Sequence, residues 1–359
     1  MARRRDDFTP AVAIPPGETL KENLEYLGMP QNELARRTGL SPKHINEIIK
    51  GKSAITEETA LKLEYVLGIP ASFWNNLESN YQETLARLKD DKELEEEYEI
   101  AKEIPYSHMS KYNWIENSKD EKARVKNLRS FFGVSSLRQV PLVFSGAFRK
   151  ADGPNTSSYA LAAWLRKGIL LGNKIKTEPY NKQSLKKLIP RFRELTLRHP
   201  NEFYPEMVEL CASCGIALVL VQHLPKTYAC GATQWLTSDK AVVQLSIRGA
   251  RADIFWFTFF HEIAHILLQD KKEFHIQESN NNTCDEDEAD ERASNWLIPP
   301  SEYEAFVESD AYYNRSSIMS FSKKVGVHPC IVVGRLLHDN KIEYTKYSDL
   351  RPSFYISNN

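Results

Sequence analysis

The chain is predicted to be mainly α-helical with an α+β domain toward its C-terminal end, on three observations. From Pro15 to about Leu88, apolar residues recur at helical spacing and are punctuated by Gly28, Gly39, Gly51 and Gly68, which describes a bundle of helices of about ten residues each. After Pro205 the period shortens: the β-rich runs Ile216 to Val221, Ala229 to Leu236 and Ala241 to Ile247 read as strands. A long apolar helix is then expected from about Ala252 to Gln269, and it carries the pentapeptide His261-Glu262-Ile263-Ala264-His265.

The 359 residues exceed what one core usually holds, so several domains are expected. The stretch Lys89 to Glu103 is crowded with Lys and Glu and reads as a solvated helical linker. The predicted organisation is a helical bundle over residues 1–88 with its core at 15–78, a helical middle region over 89–203, an α+β domain over 204–345 and a tail over 346–359. Apolar residues make up 42% and charged residues 26% of the chain, and no apolar run is long enough to span a bilayer. Met1 to Asp7 hold three arginines and no apolar secretory core, so a cytoplasmic location without membrane contact is expected. Five cysteines, with Cys211 and Cys214 as the one close pair, suit reduced thiols. A net charge of -1 gives no overall attraction to nucleic acid, so any such binding must rest on a local surface.

One such surface is encoded early. Gln31 to Arg37 reads as a short helix ended by Gly39, and Ser41 followed by Pro42 caps a second helix running to Lys50. Leu34, Ala35, Leu40, Ile45 and Ile48 form the expected seam. This leaves Pro42, Lys43, Asn46, Glu47 and Lys50 outward to reach base edges, with Gln31 and Lys52 near phosphates and with the cap residue Ser41 and His44 also expected at the DNA surface. A plain helical bundle for protein contacts is the alternative. Pro16-Gly17-Glu18, Leu34-Ala35, Gly39-Leu40-Ser41, Ile45, Gly51-Lys52, Ile55-Thr56, Thr59-Ala60, Leu67-Gly68 and Phe73-Trp74 resemble the HigA antitoxin branch of the Xre-type helix-turn-helix family, over about seventy residues. The resemblance implies a homodimer that binds operator DNA and represses its own operon, often beside a toxin of the RelE/HigB type.

The second site lies in the long apolar helix. Residues four apart share a helix face, so His261 and His265 can grip one Zn²⁺, and Glu262 can take a proton from water at the fourth position. A catalytic zinc usually has a third protein ligand. Glu288 is the expected one, on a helix whose Ala289, Ala293, Trp296 and Leu297 pack against the histidine helix; Asp285, Glu286, Asp287, Asp290 and Glu291 are read as a solvated face. His275 competes for the third position. Phe257-Thr258, the pentapeptide, Glu288-Ala289-Asp290, Ala293-Ser294 and Leu297-Ile298-Pro299 resemble the ImmA/IrrE metallopeptidases, with a zincin-like fold over about Tyr204 to Ile342. The resemblance implies His261, His265 and Glu288 as zinc ligands, Glu262 as general base, and cleavage of a partner repressor under stress.

The expectation is therefore a DNA-binding regulator whose zinc metallo-endopeptidase domain cleaves a repressor, an antitoxin or itself, with Ala229 to Thr233 or Ala241 to Leu245 as the strand edge for the substrate. The alternative is an antitoxin that neutralises a toxin, with a non-proteolytic metal domain. Ile318 to Leu337 also has helix-turn-helix spacing, but Phe321, Val325, Ile331, Val332 and Leu336 read as core.

Overall fold

A computed structural model of the chain describes residues 12–145, 156–246, 251–268, 275–277 and 284–355. The chain divides into two compact units, Met1–Tyr98 and Glu99–Asn359.

The first unit holds α1 (Pro16–Tyr26), α2 (Gln31–Thr38), α3 (Pro42–Ile49), α4 (Glu57–Leu67) and α5 (Ala71–Glu96). Local chemistry sets the breaks. Gly39 closes α2 in the left-handed region at φ 70°, and Ser41 Oγ caps α3 by accepting from the His44 amide at 3.1 Å. Leu20, Leu34, Ala35, Ile45, Ile48, Leu63 and Trp74 form the core, with Leu40 packed at its edge. A methyl group on Gly17 would lie 2.0 Å from the Ile48 carbonyl oxygen, so α1 and α3 meet closely only because that position has no side chain. The boundary expected at residue 88 falls inside α5. The Lys/Glu-rich segment continues the helix, since pairs such as Arg87 with Glu83 and Lys89 with Glu93 support it at i,i+4 spacing. The division comes at Tyr98, inside the Lys89 to Glu103 stretch expected to hold the boundary.

The second unit continues with α6 (Tyr98–Glu103), α7 (Tyr106–Lys111), α8 (Glu121–Phe132), α9 (Val140–Val143), α10 (Ser158–Gly172), α11 (Lys182–Leu195) and α12 (Pro200–Ala212). Then come β1 (Ile216–Leu220), β2 (Gly231–Thr237), β3 (Lys240–Leu245), α13 (Ala252–Leu268), β4 (His275–Gln277), α14 (Cys284–Leu297), α15 (Pro300–Glu308), α16 (Arg315–Val325) and α17 (Pro329–His338). The sheet order is β1-β3-β2-β4, with β1 parallel to β3 and the other neighbours antiparallel.

Both faces of this sheet are covered, which explains why β1, Ile216–Leu220, is apolar at every position. Ile216, Leu218, Ala241, Val243 and Leu245 share one core with Trp256, Phe259 and Phe260 of α13. On the other face, Gln244 Nε2 donates to the Trp164 carbonyl of α10 at 2.7 Å, and a Cβ on Gly172 would meet Val242. The expected middle region is thus not a separate layer: α10 covers the sheet, and Leu185, Ile189, Phe192 and Leu195 of α11 belong to the core. The expected tail is likewise part of the unit. Leu350 and Arg351 are buried, Arg351 Nε donates to Asp253 Oδ2 at 2.9 Å, and Arg251 pairs with Ser353 as a β-bridge. Phe321, Val325, Ile331, Val332 and Leu336 of α16 and α17 are also core.

Candidate metal centre and helix-turn-helix surface

The metal centre starts from α13, whose residues from Phe255 to Leu267 are almost all buried. One helical turn sets His261 and His265 on the same face, and both are 1% exposed. Their Nε2 atoms lie 2.8 Å apart, and Glu286 Oε2 from α14 lies 3.1 Å from the first and 3.3 Å from the second. A tetrahedral zinc with bonds of about 2.0–2.1 Å places its ligand atoms about 3.3 Å apart; the Glu286 separations match that spacing, and the two imidazoles stand closer together than it requires.

The carboxylate that joins the two histidines is therefore Glu286 and not Glu288. Two residues along a helix is a rotation of about 200°, which turns Glu288 to the exposed side, where Arg292 Nη2 donates to it at 2.8 Å. Glu286 and Asp290, read from sequence as solvated, share the face of Ala289, Ala293 and Leu297, which are buried. That stripe extended backwards by three residues from Ala289 reaches Glu286, so the signal was present in the spacing. His275 lies in β4 opposite Thr233, and its side chain and that of Asp285 lie outside the described residues.

Asp290 Oδ1 stands 2.6 Å from His261 Nδ1. It fixes the ring so that Nε2 faces the centre, as carboxylates behind metal-bound histidines do. Burial alone would lower the His261 pKa, but hydrogen bonds to Asp290 and Glu286 and the charge of Glu262 outweigh it and raise it to about 9. A proton and a metal ion thus compete for this ring.

Glu262 is fully buried. Thr233 Oγ1 from β2 donates to its Oε2 at 2.7 Å, whereas Oε1 has no hydrogen-bond partner among the described residues. Burial pushes its carboxyl pKa up, against the lowering effect of the two histidines and Thr233. Such an oxygen, buried and unsatisfied beside two converging imidazoles, is costly unless a proton donor reaches it. Gly231 makes room for it, since a Cβ there would lie 2.5 Å from Oε1. Thr233 and Gly231 have no signature in the sequence, because the strand register that brings them to α13 is a tertiary outcome.

Both expected substrate edges are internally paired. β3 lies between β1 and β2, and Gly231, Ala232 and Thr233 pair with Gln277, Ile276 and His275.

In the first unit, Gln31, Ser41, Pro42, Lys43, Lys50 and Lys52 are exposed, and His44, Asn46 and Glu47 are half-buried. Lys43 Nζ lies 3.8 Å from Glu47, and Ser53 Oγ lies 3.4 Å from His44 Nδ1. The outward face of α3 is thus the one expected, with Ser41 spent on its cap. Cys211 and Cys214 are buried thiols, the second pushed up to about 11 by burial. Among the described residues no helix is long and apolar enough to cross a membrane.

Residues 20–74, which hold this helix pair and its core, match the family HTH_3, Helix-turn-helix. The chain belongs to this helix-turn-helix family, and its N-terminal unit is that of a helix-turn-helix transcriptional regulator. It is 39% identical over 75 residues to virulence-associated protein I of Dichelobacter nodosus, covering 21% of this chain and 69% of that protein. It is 34% identical over 64 residues to the HTH-type transcriptional regulator YddM of Escherichia coli (strain K12), covering 18% of this chain and 68% of that protein. Among solved structures, an addiction module antidote protein of the HigA family from Coxiella burnetii is 36% identical, with 24% of this chain and 94% of that chain covered and a TM-score of 0.22. The Pseudomonas aeruginosa antitoxin HigA with the higBA promoter is 31% identical, with 24% and 95% covered and a TM-score of 0.23.

Proposed function

We propose that this chain is a DNA-binding regulator whose second unit is a zinc endopeptidase that cleaves a partner protein, a repressor or antitoxin, or the chain itself, and so relieves repression. The unpartnered Glu262 Oε1 beside the His261–His265–Glu286 cluster carries this reading, because a purely structural zinc site needs no buried base. His261, His265 and Glu286 would hold the ion. Zinc, when bound, polarises a peptide carbonyl and acidifies water. Glu262 Oε1 accepts the proton from the attacking water and returns it to the leaving nitrogen, while Thr233 holds Oε2 and keeps the carboxylate oriented. Asp290 keeps His261 in one tautomer. Outward residues of α3 would read operator DNA as a homodimer.

A second reading is favoured by the two HigA structures, described as an antidote protein and an antitoxin: an antitoxin that binds operator DNA and a HigB/RelE-like toxin, with a metal unit that does not cleave. Glu262→Gln separates the two. Under the first reading the variant keeps about one zinc per chain but yields no fragment from itself or from the neighbouring gene products in the presence of DNA. Unchanged function in the variant sinks the peptidase and leaves the antitoxin.

A further inference from the structure

From Ala252 to Leu267, α13 is buried at every position except Ile254 and Phe257. Both line a cavity of about 230 Å³, whose other walls include Leu297 and Ile298 where α14 ends and Ile331 of α17. Its lining residues Phe257, Thr258 and Ser294 stand one helical turn from His261, Glu262 and Asp290 respectively. The Phe257 and His261 rings are 6.2 Å apart, and Thr258 and Glu262 both crowd the space in front of Gly231. The cavity and the metal centre therefore lie side by side between the same two helices, and the apolar surface that α13 leaves uncovered is confined to the cavity.

The charged groups of the lining are already matched. Asp253 is paired with Arg351, and Arg335 with Asp339, which His338 also contacts. What the cavity offers an occupant is therefore apolar surface. A dry cavity of about 150 Å³ accommodates benzene, so this one has room for a leucine, methionine or phenylalanine side chain. Burying such a group strengthens binding by roughly tenfold or more, whereas the head of a lysine or glutamate would lose its water and gain no counter-charge. The distance also suits a peptide. One helical turn is about 5.4 Å, and neighbouring residues of an extended chain are about 3.8 Å apart. A peptide with its carbonyl at the metal centre thus brings the side chain of an adjoining residue to this cavity.

We propose that this cavity sets the specificity of the metal centre: it takes an uncharged apolar side chain, of leucine to phenylalanine size, from the substrate residue next to the scissile bond. The substrate rests on the peptidase reading, but the preference of the cavity can be read without cleavage. The full chain is titrated with toluene and followed by NMR, and the zinc-loaded chain is titrated calorimetrically with acetohydroxamate and with the hydroxamates of phenylalanine, lysine and glutamate. Toluene should bind saturably. Phenylalanine hydroxamate should bind at least about tenfold tighter than acetohydroxamate, and the lysine and glutamate compounds should gain nothing comparable. Ser294→Phe, which fills the cavity from α14, should abolish toluene binding and bring phenylalanine hydroxamate down to the level of acetohydroxamate. Ile254→Trp fills it from α13 and gives the same readout if the first variant does not fold. Failure of folded wild type to bind toluene, toluene binding that survives both variants, or an equal gain from the lysine or glutamate compound overturns the pocket. So does toluene binding without any gain for phenylalanine hydroxamate, which would separate the cavity from the metal centre. If the hydroxamate preference holds but no fragment of any partner forms, the peptidase reading falls and the apolar pocket beside the metal stands.

Discussion

A methyl group at Gly231 would lie 2.5 Å from Glu262 Oε1 and 2.6 Å from Thr258 Cγ2, so Gly231→Ala has to move the carboxylate. The expected outcome is a chain that still binds zinc but has lost most of its cleavage, read by metal analysis beside a fragment assay. The choice between two glutamates is equally sharp. Glu286→Gln should lose stoichiometric zinc, and Glu288→Gln, which removes only a surface pair with Arg292, should keep it; the reverse result would return Glu288 to the centre. Asp290→Ala should weaken zinc affinity by roughly 10–100-fold, the usual effect of losing the carboxylate behind a metal-bound histidine. His261, Glu262 and His265 are legible in the sequence because all three lie within one helical turn. Glu286 required choosing a face of a second helix, and Thr233 required a strand register, which no local pattern encodes.

The helix pair of the first unit is the element most completely written in the chain. Gly39, Ser41 and Pro42 each act within three or four residues, and Ser41→Ala should cost about 1 kcal/mol of that unit's stability in a denaturant titration, through loss of one cap. The helix covering the sheet's second face could be inferred only indirectly, from strands such as Ile216–Leu220 that are apolar on both sides. The end of α17 offers a pH test. Burial would raise the Asp339 pKa, but bonds from Arg335, His338 and Tyr303 prevail and hold it below the ordinary carboxylate range. Its stabilising contribution is therefore complete above about pH 4, the unfolded value, and fades as pH falls through the lower folded value. Asp339→Asn should be less stable than wild type at pH 7, and the difference should shrink below about pH 4; a difference that grows in acid would mean the carboxylate is not held as described.

The whole molecule has two units with separate cores, and among the described residues the His261–His265–Glu286 group belongs to the second alone. Calorimetry of the full chain should show two transitions, of which a chelator lowers one and leaves the other in place, since a ligand stabilises only the fold that binds it. One transition shifted as a whole would mean that the units unfold together.

The buried pair between Asp253 and Arg351 joins positions 98 apart in sequence, and Asp253 lies in the first turn of the helix that bears both histidines. Units fold in order of synthesis, the N-terminal one first. The DNA-reading unit is thus complete while most of the second unit is still to be made, whereas the histidine helix gains its counter-charge among the last residues of the described structure. Translation itself orders the two units: the helix-turn-helix surface matures early, and the helix bearing His261 and His265 has its buried charge balanced only when synthesis has passed Arg351.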